Sequence, residues 1–156
     1  MAEIKIINIV WKLVWKGPLS SDVVSKCTSR GVYQYYGDHH VYGSDVLLYI
    51  GQTDELADRI QGHGFDELCD RNIKIYFGRV HRVRKDMLKR VEKLLICASA
   101  PARNSYHVIE PLDEAQDKSL LNLLILNWGN YRSLLPEISG YRFTNHLYKE
   151  WPALSS

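Results

Sequence analysis

The sequence predicts an α+β fold, a small and mostly antiparallel β-sheet flanked by helices. Three observations carry that expectation. Residues 31–36 and 46–50 are β-branched and aromatic runs bracketed by Gly, Asp and Ser, the pattern of a hairpin. Residues 73–80 alternate Ile73, Ile75 and Phe77 with Lys74, Tyr76 and Gly78, the period of a third strand. Residues 85–99 repeat apolar side chains at helical spacing and stop before Pro101. At 156 residues the chain reads as a single domain, 1–156, long enough to bury a core without staples.

The elements follow in order. Residues 4–15 are rich in Ile, Val and Trp and read as a strand ended by Gly17-Pro18. Residues 20–29 are polar around Val23-Val24 and read as a short helix or loop. The hairpin follows, with a loop of about eight residues between its strands, longer than the commonest lengths. Thr53-Asp54-Glu55 has helix-start chemistry, a hydroxyl cap followed by acids, and Gly62 and Gly64 end that helix. After the third strand and the helix 85–99, residues 113–127 are leucine-rich and read as a further helix with Gly129 just past its end. Residues 130–156, with Pro136, Gly140, Pro152 and interspersed aromatics, read as irregular structure on the core. The aromatics Trp128, Tyr131, Tyr141, Phe143, Tyr148 and Trp151 read as core and interface rather than as a base-stacking platform.

Composition bounds the class. Apolar residues are 46% and charged residues 24%, as in a soluble globular protein. The net charge of +2 alone signals no polyanion partner. Its distribution does: between residues 71 and 93, Arg71, Lys74, Arg79, Arg82, Arg84, Lys85, Lys89, Arg90 and Lys93 stand against Asp86 and Glu92. Such a block attracts phosphate or is a solvated helix face. Cys27, Cys69 and Cys97 form no CxxC pair, so they imply reduced thiols and a cytoplasmic protein. The apolar run near the start lacks the features of a signal peptide, and no stretch is long enough to span a bilayer.

One constellation carries chemistry. In the hairpin, Tyr33 falls opposite residue 49 or 50, so Tyr33 and Tyr49 are cross-strand neighbours. Arg59 and His63, four apart, share one side of the helix after the hairpin. A guanidinium there can grip two phosphate oxygens. The plainer reading is a surface arginine beside a helix-end histidine. Glu92 falls at the edge of the apolar stripe formed by Leu88, Val91, Leu94 and Leu95. A carboxylate in that position needs a partner, either a lysine such as Lys85 or Lys89, or a metal ion. Asn104 lies in a turn twelve residues on. His39-His40 reads as a solvent-facing loop pair whose side chains diverge.

Together these residues resemble the GIY-YIG nuclease family. Gly31-Val32-Tyr33 resembles its first motif with Val in place of Ile, and Tyr49-Ile50-Gly51 matches its second. Gln52-Thr53, Leu56, Arg59 and His63 look like its catalytic helix, and Glu92 and Asn104 like its metal glutamate and downstream asparagine. The resemblance covers roughly residues 30–106, a GIY-YIG nuclease-like core with extensions 1–29 and 107–156 that match no family element. It implies a divalent-metal-dependent endonuclease acting on DNA, closest in style to compact restriction enzymes, or a nucleic-acid-binding module that kept the fold and lost turnover. The implied catalytic set is Tyr33, Tyr49, Arg59, His63, Glu92 and Asn104. Glu92 would hold Mg²⁺, with Mn²⁺ as a substitute. Tyr33 would be the general base, its pKa lowered by the site, and Asn104 would orient Glu92 or a backbone segment. Arg82, Arg84 and Lys85 would bind flanking DNA phosphates. A palindromic double-strand cutter would want a homodimer.

Overall fold

The computed structural model describes residues 9–62, 71–80, 84–104, 120 and 122–142. It is an α+β structure: a six-stranded, mixed, mostly antiparallel sheet curled into a half-barrel, with three helices. In chain order these are β1 (Ile9–Lys16), α1 (Ser21–Ser25), β2 (Gly31–His39), β3 (Gly43–Thr53), α2 (Leu56–Gly62), β4 (Arg71–Arg79), α3 (Lys85–Ser99), β5 (Leu123–Gly129) and β6 (Glu137–Ser139). The strand order is β3-β2-β4-β1-β5-β6, and β1 and β5 form the parallel pair.

The helix expected over 85–99 forms over Lys85–Ser99. Its Leu88, Val91, Leu94 and Leu95 are buried against Leu13, Trp15, Val32, Tyr36 and Ile50 on one sheet face. Ala100 ends it in the left-handed region, φ 44°, with its N–H bonded to Ile96 O at 2.9 Å. Pro101 then prevents continuation. The opposite sheet face buries Tyr33, Tyr35 and Phe77 beneath Leu56 of α2. Period-two alternation thus sends Val32 to one layer and Tyr33 to the other.

Three expectations are corrected. The leucine-rich stretch at 123–127 is not helix but strand β5, paired along β1 from Ile9↔Leu123 to Trp15↔Gly129. A continuous apolar run has no period of its own, and pairing decided it. Leu123, Ile125 and Asn127 point inward, and Trp15 Nε1 donates to Asn127 Oδ1 at 2.8 Å across this seam. Residues 113–119 of that predicted helix lie outside the described residues, as do residues 4–8 of the first strand. The tail is not wholly irregular, because β6 pairs with β5 through Ile125↔Ile138. The hairpin loop is not eight residues: His39 pairs with Gly43, leaving residues 40–42 as the turn. His39 therefore ends a strand and is half-buried, while His40 is exposed. No helix of the described residues is long and apolar enough to cross a membrane.

Candidate active site

The hairpin sets the site's first feature. From the turn register alone, Tyr33 would face residue 49. Two register shifts between β2 and β3 each put an extra residue on β3, so Tyr33 pairs with Gly51, and Tyr49 pairs with Tyr35. The expected register at residue 49 or 50 is thus corrected. Bulges left no trace in the composition of either strand. The two phenols still share a face, as diagonal neighbours. Their ring centroids are 6.0 Å apart with planes 26° from parallel.

Gly51 makes this possible. A Cβ at Gly51 would collide with the Tyr33 phenol and with the Tyr49 ring. The glycine lets the Tyr33 side chain lie across its backbone. Gly51→Ala is expected to destabilise the fold by about 1–3 kcal/mol through overpacking. Urea denaturation checks this.

Helix α2 supplies the cation. The expected start at Thr53 is corrected: Thr53 closes β3, and helical residues begin at Leu56. Thr53 Oγ1 accepts from Glu55 N–H at 3.1 Å and donates to Glu55 O at 2.8 Å, making the turn that launches α2. This turn brings Arg59 back over the sheet. Its Nε donates to the Tyr33 hydroxyl oxygen at 3.0 Å. Burial acts against the Arg59 charge, but the phenols of Tyr33 and Tyr49 outweigh it and raise the guanidinium pKa. His63, the expected companion of Arg59, lies outside the described residues.

Helix α3 supplies the acid. Glu92 Oε1 accepts the Gln52 N–H at 3.2 Å, so the carboxylate sits beside the strand that carries Tyr49 and Gly51. Burial raises its pKa, against the opposing pull of the Gln52 N–H, Arg59 and Lys89. Among the described residues Glu92 has no ion-pair partner. Lys85, one of the two lysines that could have neutralised it, binds Asp54 at 2.8 Å instead. Asn104 does not orient Glu92. It braces the backbone: Ile50 N–H donates to its Oδ1 and its Nδ2 donates to Ile50 O, each at 2.9 Å. Ala102 and Arg103 N–H add bonds to Leu47 O and Leu48 O.

Arg59, the one of the expected causes of a lowered Tyr33 pKa that the described residues contain, does not outweigh burial. Burial pushes that pKa up to about 12, although Arg59 pulls it down. Desolvation of a phenolate under packed rings exceeds the benefit of one guanidinium. Tyr35, which sequence reasoning did not single out, belongs to the same cluster. Its ring lies 5.1 Å from Tyr33 and 6.0 Å from Tyr49. It stands two residues from Tyr33, and strand periodicity was the signal that placed it there.

Of the three cations expected to hold flanking phosphates, Arg82 lies outside the described residues. Arg84 faces Asp86 at 3.7 Å, with both side chains exposed. Lys85 and Arg30 both bind Asp54, each at 2.8 Å, and hold its carboxyl below the usual range, Lys85 contributing most. Two clefts of about 330 and 360 Å³ open near α1, and neither is lined by Tyr33, Tyr49, Arg59 or Glu92. Within the site itself Tyr33 is 1% exposed, while Tyr49, Arg59 and Glu92 are half-buried around it.

Among the described residues no three His, Cys, Asp or Glu side chains cluster as a metal cage. Glu92 nevertheless fits a hard divalent cation: it is a partly desolvated carboxylate with one backbone donor and no paired cation. Mg²⁺ accepts a single protein carboxylate when water and phosphate complete its shell. No protein-family model matches the chain, and neither a curated protein nor a solved structure matches it.

Proposed function

We propose that this chain is a divalent-metal-dependent DNA endonuclease on a GIY-YIG nuclease-like fold. One observation carries the reading. Two phenols, a guanidinium and a carboxylate come from two strands and two helices to one place: Arg59 donates to Tyr33, the Tyr33 and Tyr49 rings stack, and Glu92, bonded to Gln52 N–H, lies close enough for Arg59 to act on its charge. Among the described residues no lysine or arginine forms an ion pair with Glu92, although Arg59 and Lys89 act on its charge, and core packing alone has no need of that arrangement.

Each residue has a role set by its geometry. Arg59, held by Tyr33, would bind a non-bridging phosphate oxygen and the charge that develops there. Tyr33 accepts from Arg59 and is 1% exposed, so the Arg59 and Tyr49 side chains beside it would have to shift for its O–H to meet a nucleophilic water or a phosphate. With its pKa at about 12, only about one phenol in ten thousand is ionised at pH 8. As general base, Tyr33 would therefore act from that small fraction, and the rate would climb with pH. Tyr49 would order water or phosphate beside it. Glu92 would hold the ion, whose chemistry when bound is to polarise the phosphate and stabilise the leaving oxygen. Asn104 would keep the Ile50 backbone, and so Tyr49 and Gly51, in place.

The test is a Mg²⁺-dependent plasmid-cleavage assay of the wild type beside Glu92→Ala and Tyr33→Phe. Cleavage is expected from the wild type and to be lost with Glu92→Ala. General-base assistance is worth about 10²–10⁴ in rate, so Tyr33→Phe should lose at least about a hundredfold and flatten the alkaline climb. Equal cleavage by wild type and Glu92→Ala would end the proposal.

Thermal unfolding tests the metal site separately. A carboxyl harder to ionise in the folded than in the unfolded chain favours folding at low pH, and that contribution is lost as pH rises through its raised value. Without divalent ions, Glu92→Gln should therefore unfold at a higher temperature than the wild type at pH 8. Mg²⁺ at about a hundredfold over its Kd should add roughly 2.7 kcal/mol to the wild type. It should add nothing to Glu92→Gln, and its effect on the wild type should fade as pH falls through the Glu92 pKa.

A further inference from the structure

The face of the sheet that carries Tyr33 continues past β2 onto β4, β1 and β5. Register places Phe77 opposite Tyr33, Lys16 opposite Phe77, Arg79 opposite Val14 and Trp128 opposite Val14 on the other side. All of these side chains share that face. On β1 the outward residues Val10, Lys12, Val14 and Lys16 are exposed, and Trp128 is 53% exposed. Lys12 Nζ stands 4.4 Å from the Trp128 ring centroid. Among the described residues Lys12, Lys16 and Arg79 form no ion pair. Glu137, opposite Leu126, is the acid that the β5–β6 border adds to this face. Between Tyr33 and Trp128 lies the cleft of about 330 Å³, with Val14, Leu19 and Phe77 as apolar lining and Lys16 and Arg79 as its cations.

We propose that this face is a track for an unpaired stretch of DNA leading to the Tyr33–Arg59 site. Lys16 and Arg79 hold phosphates, the cleft takes a base, and Trp128 is a stacking platform. The track rests on the nuclease reading for its direction but binds without catalysis. Unpaired DNA is the occupant for two reasons. Lys12 lies over one face of the exposed indole, and the other π-face is one that a duplex, with its bases already stacked, cannot use. A cleft with an apolar floor and a cationic rim matches a splayed base with its phosphate. Trp128 lies three strands from Tyr33, on the order of 14 Å along the sheet. The sequence-level reading of Trp128 as core is replaced by its exposure, while its reading as an interface residue is an outcome that the test below separates.

The experiment measures fluorescence anisotropy of a labelled oligothymidylate and a labelled duplex, in EDTA, over a range of salt. The proteins are wild type, Lys16→Ala/Arg79→Ala, Trp128→Ala and Glu92→Gln. The wild type is expected to prefer the single strand. Losing two phosphate contacts should lower the logarithmic salt slope by about 1.4. Trp128→Ala should weaken single-strand binding by roughly five- to 150-fold, the equivalent of 1–3 kcal/mol per stacked base. Circular dichroism confirms that each variant is folded. Unchanged affinity and slope in the folded variants, preference for the duplex, or no binding by the wild type would each overturn the track. So would sedimentation showing a wild-type dimer that Trp128→Ala splits, since the face would then serve a second copy. Glu92→Gln separates the two readings. If it binds as the wild type does, the face variants lose affinity and no protein cleaves DNA with Mg²⁺, the track stands and the nuclease reading falls.

Discussion

Arg59→Ala is expected to slow plasmid cleavage by about 10²–10³-fold, the usual cost of removing one preorganised donor from a developing oxyanion. The guanidinium has two tasks at once. Its Nε is committed to the Tyr33 oxygen and the guanidinium also engages the Tyr49 phenol, which leaves part of its fork for a phosphate. The alanine variant loses both the phosphate contact and the one group that draws the Tyr33 pKa down against burial. Its pH–rate climb should therefore begin at higher pH than in the wild type. Arg59→Lys separates the tasks. A lysine restores a positive charge without the planar fork that can hold phenol and phosphate together. It should recover part of the rate and little of the pH shift. Single-turnover cleavage with Mg²⁺ measured from pH 7 to 10 reads both effects. A rate within a few-fold of wild type in Arg59→Ala would remove Arg59 from the site.

Trp15→Ala should produce the largest loss of stability, about 3–5 kcal/mol. Trp15 is 1% exposed, and its ring lies over Gly78 of the neighbouring strand, where even a methyl group would collide. Removing the indole empties the junction between β1, β4 and β5. It also strands Asn127 Oδ1, which loses its donor in a buried position. Asn127 Nδ2 keeps its bond to Leu135 O, so the loop before β6 stays tethered. A domain of this kind is stable by only about 5–15 kcal/mol, so the variant would sit close to unfolding at room temperature. Trp15→Phe keeps most of the volume and should cost less. Urea denaturation followed by circular dichroism measures both. A loss below about 1 kcal/mol in Trp15→Ala would mean that the β1–β5 seam does not anchor the sheet.

How far the sequence reveals this molecule depends on which physical signal each element leaves. Helix α3 was legible to the residue, because an amphipathic stripe and a following proline mark both its face and its end. Glu92 was legible for the same reason: its place at the stripe's edge follows from helical geometry alone. Strand β5 was not, since Leu123 to Leu126 is apolar at every position and only its neighbour β1 imposes a period of two. The hairpin was legible but its register was not. Two bulges moved the partner of Tyr33 to Gly51, and a bulge is a property of pairing rather than of either strand's composition. The reach of Arg59 to Tyr33 depends on the Thr53–Glu55 turn, which reads as an ordinary helix cap until the chain path is known. The phenol's charge was misjudged because neighbouring ring packing, invisible in one dimension, sets the desolvation.

The hydrogen bonds from residues 102–104 to β3 also bear on solubility. β3 is the border strand of the sheet, and along it the Leu47, Leu48 and Ile50 carbonyls and the Ile50 and Gln52 amides are already taken by Ala102, Arg103, Asn104 and Glu92. A border strand left open invites another chain to add itself and begin cross-β aggregation. Here the same short segment that steadies the Ile50 backbone also denies that border to strangers, so a variant that frees Asn104 endangers solubility as well as the position of Tyr49 and Gly51.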